Sequence, residues 1–252
     1  LLAPLRASLA ARSDAAGVAA LLVLADALSG ANGSDEAQAV AGDARVVAER
    51  VASGRDALLL SVDALRTRDF VYAQKFSQGL AIAEDALARW KAQLREPSSE
   101  LFDLMHELGI AAEFTGDVKR ADAVYREAIA LAERLYVRPH PDTASAIGIY
   151  GSFLVAQARY DEAEPYILRA LAMRRDLLGD AHPDTLNSIA ALGRLRGGQV
   201  RRDESRAAFE EGVAICKREH VRHNVCPRLS GALSQILATQ GDIDGALASA
   251  GQ

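Results

Sequence analysis

The sequence has few aromatic residues, few cysteines and no long apolar run, and each absence excludes a class of protein. Only 5% of the 252 residues are aromatic, whereas strands are rich in aromatic and β-branched residues. Two cysteines are too few for a disulfide framework, so reduced thiols and a cytoplasmic location are expected. No apolar run reaches the roughly 18–20 residues that cross a bilayer, so no membrane contact is expected.

Alanine and leucine, the strongest helix formers, are abundant instead, and half of the residues are hydrophobic. These features predict an all-helical protein. The formal net charge of −5 argues against a nucleic-acid partner, because duplex binding depends on basic patches that neutralise phosphates. The sequence begins at Leu1 and ends at Gln252 within a helical pattern, so we expect it to be part of a longer protein.

A four-residue segment, His-Pro-Asp-Thr, occurs at residues 140–143 and again 42 residues later, at residues 182–185. A fixed period in this range is the signature of a solenoid built from stacked repeats. The proline suits the first turn of a helix, and the aspartate stabilises the positive end of the helix dipole. A catalytic or metal-binding role for the His–Asp pair is the alternative, but its repetition at helix starts favours capping.

Helices are predicted in pairs from residue 56 onward, at 56–69 with 71–95, 101–114 with 118–136, 141–156 with 160–178, 183–195 with 201–220, and 227–239 with 243–250. Helices at 1–11, 14–28 and 35–52 precede them. The predicted organisation is therefore an N-terminal helical region, 1–55, that is degenerate or capping, followed by helix pairs over 56–252. The pairs are clear over 98–223, and the last pair is truncated.

Small residues recur at fixed positions in three of these pairs: Gly109, Ala121 and Ala128, then Gly151, Ala163 and Ala170, then Gly193, Ser205 and Gly212. This pattern resembles tetratricopeptide repeats, in the 42-residue form found in kinesin light chains and in many bacterial multidomain proteins. The resemblance implies a right-handed superhelical solenoid of antiparallel helix pairs. In that fold, small side chains let the two helices of a pair approach closely.

The resemblance also implies a binding groove, because the first helices of such pairs line a concave face that receives an extended or helical peptide. Carried over by position, the groove residues are Asp103, His106, Ile110 and Glu113, then Ser145, Ile149 and Ser152, then Asn187, Ala190 and Arg194.

Two features of the family's binding sites are absent from these positions. The paired asparagines of kinesin light chains are replaced by Gly148-Ile149 and Ala190-Ala191. The Lys/Asn/Arg set with which chaperone-docking repeats hold a terminal carboxylate is missing. These departures favour a more apolar ligand surface, such as an amphipathic helix or another domain of the same protein.

Two other clusters could carry chemistry. Cys216, His220, His223 and Cys226 have the ligand types that zinc prefers, but their spacing matches no common zinc module. A polar loop with Cys216 packed inward is the favoured interpretation. Five arginines surround one predicted turn, and a solvated basic edge is favoured over a surface for an acidic partner; they are Arg194, Arg196, Arg201, Arg202 and Arg206.

The sequence therefore predicts a non-catalytic scaffold without a cofactor, which binds a peptide, a helix or a partner domain in its groove. The partner can be an adjoining domain of the same polypeptide. The alternative is a sensory or autoinhibitory segment of a larger enzyme or transcription regulator. An enzyme in its own right is least favoured, because no serine, histidine or aspartate stands in a recognisable catalytic context.

Overall fold

The computed structural model describes residues 2–30, 34–51, 57–93 and 96–250, and within these ranges every regular element is an α-helix. The predicted all-α architecture is therefore confirmed. The chain packs as two compact units, Leu1–Leu135 and Tyr136–Gln252. The boundary expected between residues 55 and 56 falls outside the described residues.

The first unit contains seven helices in its described part: α1 (Leu2–Ala10), α2 (Ala15–Gly30), α3 (Ser34–Val51), α4 (Ala57–Tyr72), α5 (Phe76–Gln93), α6 (Ser99–Thr115) and α7 (Val118–Leu135). The N-terminal helices share one apolar core with α4, in which Leu21 of α2 and Val47 of α3 are buried together with Val62. Helix α4 also packs against α5 and α6. The N-terminal helices are thus continuous with the helix pairs that follow them.

The second unit contains six helices in its described part: α8 (Pro141–Ala156), α9 (Tyr160–Leu178), α10 (Pro183–Gly198), α11 (Arg202–Arg218), α12 (Val225–Thr239) and α13 (Ile243–Ala250). Each helix packs against the next, and the first helices of successive pairs are also in contact, α8 with α10 and α10 with α12. This arrangement confirms the predicted helix pairs, and it brings side chains of α8 and α10 to one face.

From α4 onward, the turn inside each helix pair contains one residue in the left-handed conformation. The first four of these residues are 42 residues apart, and the fifth follows after 41. They are Gln74, Gly116, Ala158, Val200 and Gly241, with φ of 58°, 85°, 57°, 62° and 82°. Left-handed backbone is uncommon for alanine and is an outlier for a β-branched valine. The repeat geometry therefore extends to the α4–α5 and α12–α13 pairs, where the sequence pattern is weak.

Three glycines let the helices of a pair approach as the small-residue pattern predicts. A Cβ added at Gly109 would lie 2.4 Å from Tyr125, one at Gly151 would lie 2.8 Å from Ile167, and one at Gly193 would lie 2.5 Å from Phe209. Each contacted residue is a large side chain on the second helix of the same pair. The register inferred from the sequence is thus the register of the packing.

The repeated histidines cap helices. The Nδ1 atoms of His140 and His182 accept the backbone N–H of Asp142 and Asp184, each at 3.2 Å. His223 accepts the N–H of Val225 at 3.2 Å in the same way. The capping role is confirmed for His140 and His182, which are the N-cap residues of α8 and α10, whereas His223 precedes the N-cap residue of α12, Asn224.

Two predicted helix ends were wrong. The turn predicted near residues 69–71 lies at Ala73–Lys75, because α4 continues to Tyr72 and closes with the N–H of Lys75 bonded to the carbonyl of Phe70. Helix α10 continues through Gly198, which was assigned to a turn. A Cβ on Gly198 would lie 2.3 Å from the ring of Tyr160, so this glycine serves close packing against α9.

Candidate functional site

A cavity of about 290 Å³ lies in the second unit, over α8, α9 and α10. Every second-unit residue of the predicted groove except Ala190 lines it: Ser145, Ile149, Ser152, Asn187 and Arg194. Ala190 is instead 5% exposed within the core. Gly148 and Ala191, which stand at two of the positions of the family's asparagines, also line the cavity, and Asn187 supplies its side-chain amide.

The floor of this cavity carries a buried positive charge, the guanidinium of Arg174 from α9. Arg174 is 8% exposed. Its Nη1 donates to Ser188 Oγ at 2.7 Å and to the carbonyl oxygen of Asp184 at 3.2 Å. Burial lowers the pKa of Arg174, and the charge of Asp184 opposes that shift. The cavity is therefore more polar and more basic than the apolar groove that the sequence favoured.

Sequence reasoning missed Arg174 because it lies on the second helix of its pair, whereas the groove was assigned to the first helices. The sequence nevertheless contains a signal for Arg174, which is found by comparing equivalent repeat positions. The residues 42 positions before and after it are Ala132 and Cys216, which are 0% and 9% exposed. An arginine at a repeat position that is otherwise small and buried indicates a charge placed inside the protein.

The arginine cluster around the turn between α10 and α11 is only partly the solvated edge that was favoured. Arg196 is 8% exposed, and its Nη1 donates to Glu164 Oε1 at 2.7 Å. Its Nε lies 3.3 Å from Glu204, which also pairs with Arg201 at 2.7 Å. Hydrogen bonds from Gln199 and Arg196 hold the pKa of Glu164 below its usual value. This network pairs two of the five arginines, Arg196 and Arg201, whereas Arg194 lines the cavity.

The first unit has a cavity of its own, of about 370 Å³, lined by α2, α4 and α6. Asp103 and His106 of the predicted groove line it. They lie there with Asp26 and Arg68, which form an ion pair, and with Glu107. Carboxylates thus dominate this cavity.

Glu107 is the most perturbed acid of the first-unit cavity. Burial raises its pKa to about 7; Arg68 opposes the shift, and Asp103 and Asp69 add to it. Its Oε2 atom is buried without a hydrogen-bond partner among the described residues. The side chain is therefore held where ionisation is unfavourable.

The other two predicted first-unit residues do not line this cavity. Glu113 accepts a hydrogen bond from the hydroxyl of Tyr125 at 2.8 Å, which ties α6 to α7. Burial raises the pKa of Glu113, and this hydrogen bond lowers it. Ile110, one turn earlier on α6, is partly buried. The structure thus divides the predicted groove set between the two cavities and leaves Ile110, Glu113 and Ala190 outside both.

The cysteine–histidine cluster differs from both sequence interpretations. Cys216 and Cys226 form a disulfide that joins the end of α11 to the start of α12. The expectation of reduced thiols was therefore wrong, and the cysteines hold no thiolate for a metal. His223 uses its Nδ1 to accept the N–H of Val225. Among the described residues, no group of three or more His, Cys, Asp or Glu side chains is arranged to hold a metal ion.

Hydropathy gives one further result for the described helices: none is both long and apolar enough to span a membrane.

Comparison with known proteins identifies the repeats. Models of the tetratricopeptide repeat match residues 102–142 and 142–218. No curated protein matches the sequence. Among solved structures, the nearly identical TPR-like repeats of a Podosopora anserina protein named as a kinesin light chain superpose with a TM-score of 0.67 at 18% identity. The match covers 81% of this chain and 97% of that one.

Two further structures share the fold. A Rap protein complexed with Competence and Sporulation Factor matches with a TM-score of 0.65 at 13% identity, over 92% of this chain and 74% of that one. A signal-transduction ATPase from Pyrococcus horikoshii, described as having a tetratricopeptide repeat sensor, matches with a TM-score of 0.69 at 15% identity, over 93% of this chain and 36% of that one. Residues 102–218 therefore match the tetratricopeptide repeat, and the chain shares its helical-repeat fold with these solved structures.

Proposed function

We propose that the chain is a non-catalytic interaction scaffold, and that the second-unit cavity, between α8 and α10, receives a segment of a partner protein. The observation that carries the proposal is the convergence of Ser145, Ile149, Ser152, Asn187 and Arg194 on one cavity. These residues come from two helices and were assigned to one groove by position, from the resemblance to tetratricopeptide repeats. Neither a nucleic acid nor a membrane is assigned as a partner.

The composition of the cavity suits a peptide. Ile149 supplies an apolar surface that keeps partial exposure, and the serines and the asparagine supply hydrogen-bonding groups around it. Peptide grooves typically combine apolar anchors with a few polar groups that fix register. The Rap protein with this fold is complexed with another factor, which supports binding as the role of the fold.

A sensory or regulatory segment of a larger protein is the second candidate function. The Pyrococcus horikoshii ATPase motivates it, because there the matching region belongs to a protein whose tetratricopeptide repeats are described as a sensor. The two functions use the same cavity but differ in where the ligand resides. A free peptide binds a scaffold from solution, whereas a segment of the same polypeptide would compete with it.

The proposal is tested by selecting 12-residue peptides from a random display library and measuring their Kd by fluorescence polarisation. Ile149→Asp should weaken binding at least tenfold, about 1.4 kcal/mol, because it places a charge on the central apolar contact. Leu168→Asp on α9 is the matched control, since Leu168 is 42% exposed and does not line the cavity.

If both variants weaken binding equally, or if neither weakens it, the partner binds outside the cavity. Repeating the measurement with the full-length protein separates the two candidates. If the chain is a scaffold, the peptide binds the full-length protein with the same Kd as the isolated chain. If a segment of the same polypeptide occupies the cavity, it competes with the peptide and raises the Kd.

A further inference from the structure

The cavity of the second unit contains a buried cation that forms no ion pair with any described residue, although the charge of Asp184 acts on it from a longer distance. Arg174 lies at the floor, 8% exposed, and its two hydrogen bonds both come from Nη1 and reach neutral oxygen atoms. Within the described part of the chain, no carboxylate oxygen lies within ion-pair distance of its guanidinium. Buried charges are normally paired, because removing an ion from water is costly.

The backbone of α8 is shaped around this guanidinium. A Cβ added at Gly148 would lie 3.1 Å from Nη1 of Arg174 and 3.3 Å from its Cζ. The absence of a side chain at Gly148 therefore lets the planar group lie directly against the helix. On the side of α10, Ser188 and the carbonyl of Asp184 fix its orientation. The guanidinium is thus held in one place, which is the condition for a geometrically specific contact.

The rim of the cavity adds positive charge. Arg194 lines the cavity and forms no ion pair with any described residue, in contrast to Arg196, which Glu164 neutralises. Partial removal of the guanidinium from water lowers the pKa of Arg194, and the positive charge of Arg228 lowers it further. The side chain of Arg194 nevertheless keeps contact with solvent. Among the described residues, Asp184 is the one carboxylate that lines the cavity. Two arginines against one aspartate leave a net positive site.

We propose that this cavity is a subsite for an acidic side chain of the bound partner segment, with its carboxylate on Arg174 and Arg194. The inference rests on the proposed function and names the chemistry that this site selects. A carboxylate matches the fork of a guanidinium and makes charge-assisted hydrogen bonds. At about 30 Å³ for each water molecule, a volume of about 290 Å³ admits one such side chain with a few waters.

The test uses fluorescein-labelled pools of 12-residue peptides, amidated at the C-terminus and randomised except for one fixed central residue. That residue is Glu, Gln or phosphoserine, and a fourth pool fixes Gln but ends in a free carboxylate. The wild-type chain should bind the Glu pool at least tenfold more tightly than the Gln pool. Arg174→Gln should abolish this preference, because it removes the buried cation.

Two further variants control for folding and for general charge. Asn187→Asp keeps Arg174 but places a competing carboxylate inside the cavity, so it should also remove the preference. Arg202→Gln on α11 loses the same charge at an exposed position away from the cavity and should keep it. Circular dichroism and thermal unfolding establish that each variant is folded.

Each remaining outcome overturns a defined part of the inference. Equal binding of the Glu and Gln pools rejects the acidic-residue subsite and leaves the peptide-binding scaffold standing. Tighter binding of the phosphoserine pool, or of the free-carboxylate pool, in an Arg174-dependent manner assigns the site to a phosphate or to a chain terminus instead. If no pool binds, the proposed function fails and this inference fails with it.

Discussion

The cavities of the two units carry opposite charge on similar scaffolds. In the second unit, Arg174 and Arg194 face a single lining carboxylate, Asp184. In the first unit, three carboxylates line a cavity with one arginine and one histidine, namely Asp26, Asp103 and Glu107 with Arg68 and His106. Both cavities lie over the first helices of helix pairs. The repeat register thus places the cavity, and a few substitutions decide which charge it holds.

The units are also stabilised differently. The second unit has a disulfide and two His-Pro-Asp helix starts. The first unit buries Asp63, which is 1% exposed and pairs with Arg45 and with Arg89, the latter at 2.7 Å. Perturbations of a disulfide, a close helix contact or a buried acid should therefore act on one unit and spare the other.

The largest expected effect comes from replacing the disulfide with the double variant Cys216→Ser and Cys226→Ser. Closing a loop with a sequence separation of 10 residues stabilises the folded state by about 3 kcal/mol in the chain-entropy model. Native-state hydrogen exchange should show faster opening of α10–α12, with α4–α6 unchanged, because both cysteines lie in the second unit. Equal loss of protection in both units would contradict the assignment of the disulfide to local stability.

A smaller effect is expected from Gly151→Leu, which overpacks the contact between α8 and α9. Even a Cβ at this position would lie 2.8 Å from Ile167, so we expect a loss of about 1–3 kcal/mol in the free energy of unfolding. Gly231→Ala in α12 is the control. A Cβ added at Gly231 meets no atom within 4 Å. Because alanine has a higher helix propensity than glycine, this variant should leave the free energy of unfolding unchanged or raise it by up to about 1 kcal/mol. Urea unfolding of both variants measures the difference.

The smallest effect concerns the pH dependence of the first unit. The pKa of Glu107 is about 7 in the folded chain against an ordinary value of 4.5, so the unfolded chain loses this proton first. The contribution of protonated Glu107 to the free energy of unfolding is therefore full below pH 4.5, and it is lost as the pH rises from there to about 7. Each pKa unit corresponds to about 1.4 kcal/mol for a fully buried group. Because Glu107 is partly exposed, its ionisation should lower the free energy of unfolding by only about 1–2 kcal/mol over this pH range.

Trp90 reports this effect, because it is the single tryptophan and lies on α5 of the first unit. Urea midpoints from its fluorescence should decline between pH 5 and 7.5, and Glu107→Gln should flatten the decline. Asp69 and Glu113 also have raised pKa values, so some slope remains. Exposed Glu127→Gln should leave the wild-type profile intact. An unchanged slope in Glu107→Gln would show that other acids dominate.

The helix pair with the strongest local punctuation, α8 and α9, was predicted to the residue. Helices α8 and α9 begin and end where Pro141 and Gly179 indicated, because proline favours a helix start and Gly179 follows the last helical residue. The α4–α5 turn was misplaced because Gln74, its left-handed residue, carries no such signal. Val200 likewise adopts a conformation that its side chain disfavours, which only packing on both sides of the turn can impose.

The candidate site shows the same division. Ser145, Ile149, Ser152, Asn187 and Arg194 could be placed together because residues at fixed repeat positions on α8 and α10 share a face. Arg174 and Glu113 could not be assigned in this way. Arg174 enters the cavity from the second helix of its pair, and Glu113 hydrogen-bonds to Tyr125 on α7. Which side chain is neutralised depends on such contacts between helices.

The sequence by itself determined the helical class, the 42-residue period and the register of the close glycine contacts, because helix propensity and the spacing of small residues are local properties. Only the tertiary structure decided that Arg174 has no carboxylate within ion-pair distance among the described residues, that Arg196 has one, and that Cys216 and Cys226 are bonded. Charge pairing and disulfide formation act over a few ångströms. Residues from different helices come within that range only once the helix pairs have packed.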